Sequence, residues 1–104
     1  MDVENFIFVG FNSRVAALHR DSGEIMWEWK SPKGSCAYVT VLLDGDRIIA
    51  SVHGYTYCLD AFTGEELWRN SLPGFGVGYP TLTSANGSSG NGAPALEITA
   101  QSSS

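Results

Sequence analysis

The groups best equipped for chemistry are few and scattered. Histidine occurs only as His19 and His53, and cysteine only as Cys36 and Cys58. A thiol nucleophile needs a base beside it, and no histidine stands at a recognisable partner spacing from Cys58, which reads as a small core residue. Cys36 lies in a loop and is reactive only if exposed. His53 precedes Gly54 in a turn, where a single imidazole is ordinarily solvated; several copies brought into a ring would make a metal or anion site. Asp21, Asp44, Asp46 and Asp60 all fall where tight turns use carboxylates to bond backbone. The run Gly74-Phe75-Gly76-Val77-Gly78 brings backbone close to a ligand, but no helix follows it, so it is not a phosphate loop. Its plainer reading is a crossover between elements. Arg14, His53, Tyr55, Phe75 and Tyr79 are the residues placed to line one face for a ligand. No catalytic residue, resident cofactor or metal is expected.

The elements that position these groups are strands. Twelve glycines and few strong helix formers punctuate short apolar runs, and no segment keeps an apolar period of 3.6 residues over three turns. The runs are Phe6 to Phe11, Val15 to Leu18, Ile25 to Trp29, Tyr38 to Leu43, Ile48 to Val52, Tyr55 to Leu59 and Leu67-Trp68. Turn residues separate them at the spacing of roughly 8–12 residues seen in all-β domains. With 104 residues there is room for one small domain. Hydrophobic residues make up 43% and charged residues 16%, which supplies a core and argues against a disordered chain. The net charge of −5 disfavours binding to a nucleic-acid backbone. No run of about 18 apolar residues is present for a membrane span. Two cysteines and an acidic start at Met1-Asp2-Val3-Glu4-Asn5 give the expectation of a reducing, cytoplasmic setting.

Shifting the chain by 41 residues lays it on itself without a gap. Ile7 meets Ile48, Leu18 meets Leu59, Gly23 meets Gly64, Glu24 meets Glu65, Trp27 meets Trp68, Pro32 meets Pro73, Tyr38 meets Tyr79 and Thr40 meets Thr81. Residues 5–45 and 46–86 are thus two copies of one unit, followed by a Gly/Ser-rich linker and tail over 87–104, where residues 95–100 alternate like one more strand. A period near 40 with four strand-like runs per period predicts propeller blades. Apolar residues on both faces of several runs agree, because each blade is covered on both sides.

The segment Cys58-Leu59-Asp60-Ala61-Phe62-Thr63-Gly64-Glu65-Glu66-Leu67-Trp68 resembles the tryptophan-docking motif of quinoprotein-type (PQQ-like) propeller repeats. Cys58 stands where that motif usually has Ala. The first copy keeps Ala17, Gly23 and Trp27, with His19 in the place of Asp60 and Ser22 in the place of Thr63. Glycine permits the positive φ of the turn, and each Trp offers roughly 200 Å² to bury between blades. Both tryptophans are therefore predicted to be buried.

By this resemblance a blade has strands A, innermost, to D, outermost. The chain reads as B (6–11), C (14–20), D (24–30), then A (37–43), B (47–52), C (55–61), D (65–71), and a further A (79–83). One four-stranded blade is complete and the other is split between the chain ends. Copies joined head to tail, each lending its last A strand to the next, would close a ring. Eight blades would take a tetramer, the favoured homo-oligomer, and six would take a trimer. The expected function is a non-catalytic propeller module that acts as an oligomeric binding or assembly scaffold. Three alternatives stand beside it. The chain is a remnant or fragment of a longer propeller; it is a PQQ-dependent dehydrogenase, which by resemblance would also hold calcium; or it is a carbohydrate- or peptide-binding ring.

Overall fold

Each apolar run forms a strand because its residues suit a pleated surface and a turn former stops it at either end. The computed structural model describes residues 2–32, 37–76, 79–85 and 87–88. A short 3-10 turn at Val3–Asn5, closed by the Asp2 N–H donating to Asn5 Oδ1 at 3.0 Å, leads into the first sheet. That sheet comprises β1 (Phe6–Phe11), β2 (Arg14–His19) and β3 (Ile25–Lys30), in this order and antiparallel. The second comprises β4 (Val39–Asp44), β5 (Arg47–Val52), β6 (Tyr55–Asp60) and β7 (Glu66–Asn70), again sequential and antiparallel. Two-residue turns join β1 to β2, β4 to β5 and β5 to β6, and the left-handed conformation they need is taken by Gly45 and Gly54 and also by Asn12, Ser13 and His53; five-residue turns join β2 to β3 and β6 to β7.

The two sheets obey the 41-residue shift in three dimensions. Ala17 lies opposite Trp27 and Cys58 opposite Trp68, and each outer pair has its bulge at the next step, between Ala17 and Leu18 and between Cys58 and Leu59. The sheets therefore stand as two successive blades, the first lacking an inner strand. They pack face to face. Val15, Ala17, Trp27 and Trp29 from the first meet Ile48, Ala50, Val52, Tyr57 and Leu59 from the second, with Ala61 at the outer end. Trp29 and Tyr57 meet edge to face at 4.8 Å. At the inner end the sheets come closest. A Cβ on Gly10 would lie 2.5 Å from Val41 Cγ2 and 2.9 Å from Val39 Cγ1, so only glycine lets β1 pass β4 there.

The last expected strand is shorter and later than the sequence predicts. Tyr79–Leu82 is not strand; β8 is Thr83–Ser84, paired antiparallel with β9 (Gly87–Ser88). Pro80 has no N–H for a ladder, and β9 is too short to hold a full inner strand. The segment nevertheless lies against β4. The Thr40 hydroxyl donates to the Pro80 carbonyl at 3.5 Å, and the Tyr38 and Tyr79 rings meet edge to face at 5.3 Å. The β8–β9 hairpin thus stands as a second copy of the β4–β5 hairpin, at the start of a third repeat, with its turn one residue earlier in the repeat. Residues 95–100 and Cys36 lie outside the described residues. No helix among the described residues is long and apolar enough to cross a membrane.

Candidate functional site

The two hairpins that carry the resemblance share their backbone bonds and their hydroxyl bond, and differ at one side chain. In the second, the Asp60 N–H donates to the Glu65 carbonyl and the Gly64 N–H to the Asp60 carbonyl, both at 2.8 Å. In the first, His19 and Gly23 repeat these bonds at 2.7 and 2.8 Å. Thr63 Oγ1 accepts from the Glu65 N–H, and Ser22 Oγ accepts from the Glu24 N–H, each at 3.2 Å. Gly64 and Gly23 hold φ of 78° and 76°. The Asp60 carboxylate accepts from the Phe62 and Thr63 N–H groups at 2.8 and 3.2 Å, whereas His19 Nδ1 accepts from Asp21 N–H alone, at 3.1 Å. An imidazole nitrogen thus does half of the carboxylate's work.

Trp27 crosses from the first blade onto the second hairpin. Its indole N–H donates to the Ala61 carbonyl at 2.9 Å, in a buried position. Its six-membered ring lies flush on Gly64, where a Cβ would come within 2.5 Å of Trp27 Cε3. Two more contacts tie the blades. Trp29 Nε1 faces Glu66 Oε1 at 3.4 Å, with Glu66 also holding Arg69 at 2.8 Å, and the Ser31 hydroxyl bonds the Tyr57 hydroxyl at 3.2 Å. A carbonyl bonds whatever side chain its residue carries, so the motif's letters do not show the Ala61 contact; pairing the repeat copies across a face is what reveals it and these polar pairs.

Trp68 does not follow its counterpart. Within one chain it is 49% exposed, against 8% for Trp27. The surface that a following blade hairpin would offer it is absent from the described residues. At the opposite end, the outer face of the first sheet shows Ile7, Val9, Phe11 and Ile25 to solvent, Phe11 at 71%. A hollow of about 270 Å³ opens there, lined by Val9, Phe11, Ala16, Leu18 and Ile25 and rimmed by Arg14 and Glu28, which pair at 3.5 Å.

The five residues placed on a common ligand face are not brought together. Arg14 rims the outer hollow just described. Tyr55 packs against the core between the sheets. Phe75 and Tyr79, 77% and 82% exposed, line a separate hollow of about 310 Å³ with Ser51, Gly54, Leu72, Gly76, Pro80 and Thr81, and His53 stands in the turn beside Gly54. Cys58 is buried, and burial pushes its thiol above the ordinary cysteine range, the nearby Arg47 charge opposing. Among the described residues no three of His, Cys, Asp and Glu stand close enough to share a metal ion.

The chain matches the family described as outer membrane protein assembly factor BamB over residues 12–89, three quarters of its length. The chain belongs to this PQQ-like repeat family. No curated protein matches the chain. The PQQ-like match ends one residue beyond β9, so it takes in the start of the third repeat as well as the second blade.

Proposed function

We propose that the chain is a non-catalytic propeller module that works as an assembly scaffold, its remaining blades supplied by further copies of itself. The observation that carries this reading is the joint between the two blades. One Trp, one hairpin and one apolar face are used inside the chain, and a second set stands open at its ends. Exposed apolar sheet faces of this size favour association. A head-to-tail contact repeated with the same rotation closes into a ring. Four chains give eight blades and three give six. The family description, an assembly factor, is in line with a scaffold role. The reading uses no quinone and no metal. Its test is the mass of the full chain in solution by light scattering across a concentration series. A closed species of three or four chains supports it, and a monomer at micromolar concentration overturns it.

A second reading is favoured by the hollow that Phe75 and Tyr79 line beside the His53-Gly54 turn. Exposed aromatic rings over glycine backbone suit the faces of a sugar or a peptide side chain. Binding to a glycan or peptide array that is lost in Phe75→Ala, with the fold intact, supports it; equal binding by the variant overturns it.

A further inference from the structure

The repeat makes the open ends of the molecule specific. A shift of 41 residues carries the seat of Trp27, the Ala61 carbonyl and Gly64, onto the Arg20 carbonyl and Gly23. The first hairpin is already in the seat's geometry, as its bonds and its φ of 76° show. It is also vacant: nothing lies within 4 Å of where a Gly23 Cβ would be, and the Arg20 carbonyl accepts no hydrogen bond from a described residue. Trp68 is the matching donor, paired with Cys58 as Trp27 is with Ala17, and its indole N–H has no partner among the described residues.

The faces around these two points have changed together. In the internal joint Tyr57 reaches Ser31, and Trp29 faces Glu66. At the open ends the same register positions hold Ala16 with Leu72, and Asn70 with Ile25. The Tyr57–Ser31 pair has become apolar on both sides, and the one polar side chain left, Asn70 opposite Ile25, has its carboxamide oxygen already held by the Leu72 N–H at 2.8 Å, so closing the two ends on each other parts no phenol or indole from its partner. Ala16 in place of Tyr57 opens the hollow on the first sheet, and Leu72 in place of Ser31 and Phe11 in place of Val52 return volume to it. A surface kept for solvent has no need of such paired exchanges.

We infer that the occupant of this face is a second copy of the chain, docked head to tail. Trp68 of one copy sits on Gly23 of the next and donates its indole N–H to the Arg20 carbonyl. This rests on the self-assembly reading and adds its direction and its anchor. The test uses Trp68→Ala, which removes the donor, and Gly23→Asn, which fills the seat with a residue that tolerates positive φ. Light scattering is read on the wild-type chain, on each variant and on their equimolar mixture, at the highest concentration at which the wild type assembles. Circular dichroism checks that each variant is folded. The expected result is an assembled wild type, two monomeric variants, and a mixture whose mass is that of two chains. The mixture has one intact joint, from the Trp68 of the Gly23→Asn chain to the Gly23 of the Trp68→Ala chain. Variants that keep the wild-type mass, or a mixture that stays monomeric, overturn the docking while leaving self-assembly standing. A monomeric wild type overturns the assembly reading beneath it.

Discussion

Two tryptophans at the same position of the repeat live in different surroundings, and residue-level energetics separate them. Trp27 is buried, stacked on Gly64 and bonded to the Ala61 carbonyl. Trp27→Ala is expected to cost about 3–5 kcal/mol, read as a drop in the urea midpoint. Trp68→Ala, measured where the chain is monomeric, is expected to cost less than about 1 kcal/mol because half of the ring is already wet. Equal losses would contradict the open end. Cys58 gives a pH test. Burial raises its thiol in the folded chain, so above the ordinary thiol range the unfolded chain gives up a proton that the folded chain keeps. Its contribution is whole below that range and is lost as pH rises through it. Stability is therefore expected to fall with pH in the alkaline range, and the Cys58→Ala variant, whose side chain matches Ala17 in the other copy, is expected to show a weaker fall. A slope unchanged by the substitution would place the alkaline loss elsewhere.

At the scale of the element, the hairpins were readable because their chemistry is local. Asp or His, Ser or Thr, and Gly at fixed offsets close the turn through bonds that span five residues or fewer. His19 accepts one backbone N–H where Asp60 accepts two. His19→Asp is therefore expected to raise stability by about 0.5–1 kcal/mol, seen as a higher thermal midpoint. No gain would mean that the second N–H is equally well served by water. The strand over 79–83 was not readable in the same way. Tyr79 and Thr81 repeat Tyr38 and Thr40, but a strand exists only when a neighbour takes its hydrogen bonds, and the partner on offer is the two-residue β9.

For the molecule as a whole, the packing of one blade on the next sets the geometry of any ring. Gly10 fixes the closest approach, with Val39 and Val41 of β4 where a side chain would go. Gly10→Ala is expected to cost about 1–3 kcal/mol by overpacking and, if the chain assembles, to shift the distribution of masses, because it pushes apart the inner ends of adjacent blades. A variant with wild-type stability would show that β1 and β4 have room to part. The candidate ligand residues also divide at this scale. Arg14 goes to the outer face of the first sheet, Tyr55 to the core between the sheets, and Phe75 and Tyr79 to the hollow beside the third repeat. Position near a turn does not say on which side of a sheet a side chain emerges.

What the sequence determined by itself was the repeat, its turns and the seven strands of the two sheets, since alternation and turn chemistry act over a few residues and the period of 41 doubles every signal. The tertiary structure alone decided which Trp is buried, which faces pair and which stay open. Burial depends on what lies on the far side of a surface, and two copies of one motif carry no record of their neighbours: Trp27 has the second blade beside it, and Trp68 has solvent.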